Sequence, residues 1–189
     1  NESAIDAIVR KYGLDEPFYK QYWRWLAGTK DPVTGEFTGG VLRGDLGYSR
    51  TGRQTVSELI GQRLPATVEL SLWSALPIIG GGILLGVVAA IHHNKLIDQV
   101  IRVFVTIGWS FPTFVFGLLL LLFLYAKLQW FPPGRLSDPM MMAVASPTFR
   151  QYTHMHTIDG LLNLRFDVFW DALRHLVMPI ITLSYVVWA

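Results

Sequence analysis

LSLWSALPIIGGGILLGVVAAI, residues 70–91, holds no charged side chain in 22 positions. Wound as an α-helix it would extend about 33 Å, enough for a hydrocarbon core of about 30 Å. VFVTIGWSFPTFVFGLLLLLFLYA, residues 103–126, is a second uncharged run of 24, about 36 Å long on the same arithmetic. A soluble core helix keeps a polar face and does not need this length. Both runs are therefore read as membrane-crossing helices. Only eleven residues, His92–Arg102, separate them. That spacing predicts a helical hairpin with the start of the first run and the end of the second on one side. Trp73 near one end and Tyr125, Trp130 and Phe131 near the other form an aromatic belt for that interface. Lys127 and Arg102 can snorkel outward at the two ends of the second run.

Outward from these runs, the composition agrees. Of 189 residues, 51% are hydrophobic and 16% charged, against about 25% charged in soluble domains. Mean hydropathy is +0.36. The net charge of +2 is too small to point to nucleic acid. With no cysteine, disulfide scaffolds, thiolate metal sites and cysteine nucleophiles are excluded. Nine Lys/Arg and nine Asp/Glu lie in residues 1–69, before charge vanishes. Lys95 and Arg102 against Asp98 favour a cytoplasmic hairpin loop. A third apolar run, Leu176–Ala189, has 14 residues, and the chain starts without Met. The expectation is a fragment cut inside a third membrane helix.

The remaining segments read as follows. Residues 3–12 show helical periodicity, with Ile5, Ile8, Val9 and Tyr12 on one face and a stop at Gly13. Asp15-Glu16-Pro17 restarts a helix to about Ala27. Its crowded aromatics mean either a packed small domain, the preferred reading, or a helix at a membrane surface. Residues 30–52 read as turns and loop. Residues 56–64 form a short helix, after which Pro65 opens the membrane helix. Pro132-Pro133-Gly134 ends the second span. Met140, Met141 and Met142 are local packing residues, and 158–173 is amphipathic.

Candidate chemistry is sparse. His154 and His156 are half a metal site at most. His92 and His93 read as solvated interfacial residues, and Arg43-Gly44-Asp45 as a chance tripeptide. Ser57, Ser71 and Ser110 lack a nucleophile motif. No P-loop is present. The two spans contain no ionisable side chain, so no proton relay runs through them. They do carry packing signals. Gly82, Gly86 and Ala90 make a small-xxx-small face, and Gly80 and Gly81 lie beside Pro77. Pro112 interrupts the second run, and such a proline needs neighbours to satisfy the freed carbonyl. Both features predict a multi-helix bundle.

An ordered series of short motifs resembles one family. It runs through Gly44-Asp-Leu-Gly-Tyr-Ser49, Val56–Glu58–Leu59–Ile60, Arg63-Leu-Pro-Ala-Thr-Val-Glu-Leu70 and Gly86-Val-Val-Ala-Ala90. It continues through Asp98 with Arg102, Ser110-Phe-Pro-Thr-Phe114, Trp130-Phe-Pro-Pro-Gly-Arg135 and Asp171-Ala-Leu-Arg-His-Leu-Val-Met-Pro179. The series is similar to the permease subunits of ATP-binding-cassette importers for dipeptides and oligopeptides, the binding-protein-dependent inner membrane components. The resemblance implies an all-α, polytopic membrane bundle, here truncated. Its first helix would precede Asn1, and its ATPase-coupling loop would follow Ala189. The expected layout is an external segment 1–65, a membrane helix 66–91 and a cytoplasmic loop 92–102. A membrane helix 103–127, an external loop 128–174 and the start of another membrane helix at 175–189 follow. The implied partners are a second permease, two ATPase subunits, an external solute-binding protein and membrane lipid, with no nucleic acid. No catalytic residue, cofactor or metal is assigned to this chain. ATP and magnesium would belong to the ATPases. Ser110, Phe111, Pro112 and Phe114 are the candidates for lining a translocation path, with Gly82, Gly86 and Ala90 for helix packing. The expected location is the inner membrane of a bacterial or archaeal cell. The alternatives are a membrane-embedded enzyme or a sensor whose working part lies outside this chain.

Overall fold

A computed structural model describes residues 6, 9, 15–30 and 37–189. Two compact units divide the chain, residues 1–63 and 64–189. The reading of 3–12 as a helix falls, apart from Asp6 and Val9, outside the described residues.

In the first unit, Pro17 precedes helix α1, Phe18–Ala27, and Gly28 follows it at φ 83°. Proline is pre-set for a helix start and glycine for its end. Gln21 donates to the Glu16 carbonyl at 2.7 Å, and the Arg24 guanidinium pairs with Glu16 at 3.2 Å. Arg43 donates to the Ala27 carbonyl at 3.0 Å, satisfying a carbonyl that the helix end leaves open. Short strands β1, Thr29–Lys30, and β2, Phe37–Thr38, pair antiparallel with Thr29 opposite Thr38. Strands β3, Tyr48–Ser49, and β4, Gln54–Thr55, pair with Tyr48 opposite Thr55. These two hairpins correct the loop reading of 30–52 and add small strands to the expected all-α architecture. Between them, Gly40 stands at φ 108°, and a Cβ there would meet the Gly28 nitrogen at 2.6 Å. Only glycine allows that backbone approach.

Helix α2, Val56–Ile91, is a single element of 36 residues with Pro65 and Pro77 inside it. A capping box opens it: Glu58 N–H donates to Thr55 Oγ1 at 3.3 Å and Thr55 N–H to Glu58 Oε2 at 3.1 Å. Pro65 therefore continues a helix already begun nine residues earlier rather than opening one at 66. Proline inside a helix forfeits one bond to the carbonyl four residues back, and the turns on either side carry the helix through.

The second apolar run is not one rod. Helix α3, Leu96–Ser110, stops and helix α4, Thr113–Leu120, restarts, continuing as wider π-type turns over Leu121–Lys127. The two halves are bent by 105° at the break. The cause is local. The residue before proline is pushed out of the α region; Phe111 takes φ −103°, ψ 128°. Pro112, at ψ 137°, then serves as the N-cap of α4. The span expected over 103–127, interrupted at Pro112, is thus two helices. Among the described residues, α2 is the one unbroken helix long and apolar enough to cross a membrane, and α3 with α4 passes the same test as a bent pair.

After α4 the segment expected as a loop, 128–174, is about half helical. Helix α5 covers Asp138–Ala145, α6 covers His156–Leu162, and α7 covers Phe166–Trp188. Thus α7 begins at 166, nine residues before the expected start of a further helix. Leu136, Val144, Phe149, Val168 and Ala172 form a buried cluster, with Met140 packed against it. Burying each such large side chain contributes about 1.5–3 kcal/mol. Met141 and Met142 are exposed. α7 packs against α3, α4, α5 and α6, and it reaches α2 as well. Trp188 Nε1 donates to the Pro77 and Ile78 carbonyls at 3.1 and 3.0 Å.

Candidate functional site

Past the bend, a cleft of about 690 Å³ lies between α4 and α7. Thr113, Phe114 and Gly117 of α4 face His175, Met178 and Thr182 of α7 across it, with Leu70 of α2 at its edge. The lining is apolar except for His175 and the threonine hydroxyls. Thr182 donates to the Met178 carbonyl at 2.9 Å, one turn from Pro179, inside α7. His175 Nδ1 donates to the Asp171 carbonyl at 2.7 Å. Asp171 itself accepts from the Ser137 backbone N–H at 2.8 Å and hydroxyl at 3.1 Å, capping α5. The His175 ring also lies 3.7 Å from the Asp171 carboxylate.

Of the residues proposed for the path, Phe114 lines the cleft. Ser110, Phe111 and Pro112 form the bend that precedes α4 and do not line the cleft. The Ser110 hydroxyl donates to the Thr106 carbonyl at 2.9 Å, which satisfies a carbonyl near the broken end of α3. Of the packing residues, a Cβ on Gly82 would touch Trp188 at 3.6 Å, whereas one on Gly86 would meet nothing within 4 Å. Ala90 is exposed. The close approaches lie elsewhere. A Cβ on Gly81 would sit 2.7 Å from Trp188 Cε2, and one on Gly108 3.1 Å from Tyr185 Cζ. The Tyr185 hydroxyl donates to the Phe104 carbonyl at 2.9 Å, and its ring packs on Phe104 and Phe116 at 4.7 and 4.5 Å. Tyr185 thus grips both sides of the bend. Small-xxx-small spacing points to a face but does not select which glycine meets a ring.

A buried polar clamp lies next to the cleft in sequence, Glu69 adjoining Leu70 and Arg135 adjoining Gly134. Glu69 is 3% exposed. Its Oε1 accepts from the Thr157 N–H at 2.6 Å and hydroxyl at 2.8 Å, and its Oε2 pairs with Arg135 at 2.9 Å. Trp73 Nε1 donates to Thr157 Oγ1 at 3.0 Å, and Arg135 reaches the His154 carbonyl at 3.3 Å. The last charge before the long apolar run is therefore spent on fastening α2 to the segment that carries α6. Sequence reasoning quoted Glu69 and Arg135 in separate motifs, 66 residues apart, without joining them. The remaining signal was a lone acid abutting an uncharged run, which has to be paired if it is buried.

Beside the clamp, His156 Nδ1 and Asp159 Oδ2 are buried without a partner. Burial holds the His156 imidazole below its usual pKa, and the Arg135 charge adds to this. His154 Nδ1 instead meets Gln151 at 2.9 Å. At the turn between α2 and α3, Asp98 accepts from Arg102 Nε at 2.9 Å and the Asn94 N–H at 3.0 Å. The Arg102 hydrogen bond, then that of Asn94, lowers its pKa. His93 lies 3.6 Å away. Asp98 and Arg102, one turn apart, thus close the turn as a structural pair.

The chain matches two family models. Residues 82–189 match the binding-protein-dependent transport system inner membrane component. Residues 1–71 match the N-terminal model of the binding-protein-dependent transport system membrane component. A probable D,D-dipeptide transport system permease protein of Escherichia coli strain K12 is 33% identical over 98% of this chain and 50% of its own length. A di/tripeptide transport system permease protein of Pseudomonas aeruginosa is 33% identical over 93% of this chain and 47% of its own. An oligopeptide transport system permease protein of Bacillus subtilis is 32% identical over 95% and 46%. The chain spans about half the length of these relatives. By the extent of these matches, the chain belongs to the family of binding-protein-dependent transport system inner membrane components.

Proposed function

We propose that this chain is part of a permease subunit of an ATP-driven importer of short peptides. With a second permease it would form the path, two ATPase subunits would supply the energy, and an external binding protein would deliver the solute. In this reading α2 crosses the inner membrane of a bacterial or archaeal cell, and α3 with α4 crosses it again as a bent span. The turn 92–102 is cytoplasmic, and 1–65 and 128–174 are external. The observation that carries the reading is the similarity along 93–98% of the chain to permeases whose names specify peptides.

Physical features support it. The apolar runs 70–91 and 103–126 contain no ionisable side chain, so a proton relay cannot energise transport through them. ATP and its magnesium would bind to the attached ATPase subunits. The helix restarted after the 105° bend lends Thr113, Phe114 and Gly117 to the cleft. Ser110, Phe111 and Pro112 hold the bend, and Phe114 is the side chain set against a passing solute. Gly82, Gly86 and Ala90 offer a face on α2 for a further helix. The test is uptake of radiolabelled dipeptide by cells lacking the full-length gene. Uptake is expected to fall to background, to return with the gene, and to return only in part with Phe114→Ala. Undiminished uptake of di-, tri- and oligopeptides in the deletion strain refutes the peptide reading.

A further inference from the structure

Helix α1 is amphipathic in the inverted sense. At 100° per residue, Trp25, Phe18, Tyr22, Leu26, Tyr19 and Trp23 fall within an arc of about 160°. Lys20, Gln21, Arg24 and Ala27 occupy the rest of the circumference. A helix of a water-surrounded domain turns such an arc inward. Here the polar side is the engaged one, through Gln21 and Arg24 to Glu16 and through Arg24 Nε to Thr29 at 3.3 Å. No residue of α1 is buried. Phe18 is 81% exposed, Trp23 64% and Trp25 57%, with Tyr19 and Tyr22 also exposed. This corrects the preferred sequence reading, in which these rings packed a small domain.

We propose that α1 lies in the plane of a bilayer surface, its aromatic face sunk to the depth of the lipid headgroups and upper acyl chains. Three observations select lipid as the occupant. Tyrosine and tryptophan make up four of the six residues in the arc, and these rings, apolar in body and polar at the edge, settle at the headgroup level. Lys20 lies about 60° beyond the Trp23 edge of the arc, and its flexible stem lets the ammonium reach lipid phosphate. The chain then continues through α2 into the uncharged run 70–91, so a bilayer is an unavoidable neighbour of this polypeptide. In that setting five exposed rings have a partner; in water they would form an apolar patch prone to association. The inference rests on the membrane-spanning reading of α2 above.

This chain has no cysteine; with any cysteine elsewhere in the full-length protein replaced by serine, single substitutions report one site each. Phe18→Cys, Tyr22→Cys, Lys20→Cys and, within α2, Ile83→Cys are introduced into the full-length protein. Each is spin-labelled and reconstituted in vesicles of phosphatidylethanolamine and phosphatidylglycerol. Collision with oxygen, which concentrates in lipid, is compared with collision with a water-soluble nickel chelate. Labels at 18 and 22 are expected to favour oxygen several-fold, as the label at 83 does, and the label at 20 to favour the chelate. If 83 favours oxygen while 18 and 22 favour the chelate, the surface-helix inference fails alone. If 18 and 22 meet neither probe, a protein covers the face and the inference is again overturned. If 83 also favours the chelate, the membrane-spanning reading fails with it.

Discussion

Replacing Glu69 by alanine tests the clamp that fastens α2 to the segment carrying α6. The carboxylate accepts three hydrogen bonds at 2.6–2.9 Å while almost wholly buried. A hydrogen bond to a charged group contributes about 1.5–3 kcal/mol, and the Thr157 amide would be left buried and unpaired. Arg135 is 40% exposed, so water compensates part of its loss, and the pairing with it is discounted toward the surface value of under about 1 kcal/mol. The net cost to the closed state is about 3 kcal/mol, or roughly a 150-fold rise in the open fraction. Glu69→Gln keeps an acceptor for Thr157 and loses the charge, so it should cost about 1–1.5 kcal/mol, roughly tenfold. The assay is amide hydrogen exchange, followed by mass spectrometry, on peptides covering 153–162 in the full-length protein. Exchange in this segment should accelerate in the order Gln, then Ala. An acceleration below about threefold for Glu69→Ala, or equal effects of the two variants, would refute the assignment of the clamp's strength to this carboxylate.

Two more perturbations probe other parts of the same unit. Gly81→Leu forces side-chain atoms into Trp188, whose ring overlaps the place where a Cβ would stand. It should cost about 1–3 kcal/mol and lower the yield of detergent-extracted subunit, whereas Gly86→Leu, with nothing within 4 Å, should leave the isolated subunit's yield unchanged. His156 titrates below its usual value because burial opposes its charged form. The unfolded chain therefore takes up a proton near pH 6.5 before the folded one does. The folded segment keeps its full stability above that pH and loses it as pH falls below. Limited proteolysis of 150–165 should be faster at pH 5.5 than at 7.5, and His156→Phe should flatten the difference; an unchanged pH profile in the variant would place the sensitivity elsewhere.

What could be read from the sequence, and what could not, follows from range. The apolar runs were legible because twenty-odd uncharged residues in series have few physical explanations. Pro112 announced its bend, since a proline acts on its immediate neighbours. Pro65 misled, because it is acceptable both at a helix start and, at a cost, inside one; the capping box at Thr55 and Glu58 decides between them, and it lies ten residues upstream. The beginning of α7 at Phe166 was hidden because an amphipathic stretch and a hydrophobic one merge there without a break. The clamp was invisible for a different reason. Glu69, Arg135 and Thr157 are separated by 66 and 88 residues from their partners, and no local pattern encodes which distant donor a buried acid will meet. The outward turn of the α1 aromatics was equally beyond periodicity, which gives the existence of a face but not its direction.

Helix α7 also has a bearing on how the polypeptide is made. Tyr185 and Trp188 contact carbonyls 81 and 111 residues upstream. At ribosomal speeds of about 5–20 residues per second, α2 would wait on the order of 5–20 s for Trp188 to be synthesised. During that interval the glycine faces and the severed backbone at the bend lack the rings that later cover them. A membrane chaperone or insertase would find its client in this half-built state. Variants that weaken the Tyr185 or Trp188 contacts should therefore be degraded as nascent chains before any defect in transport could be measured.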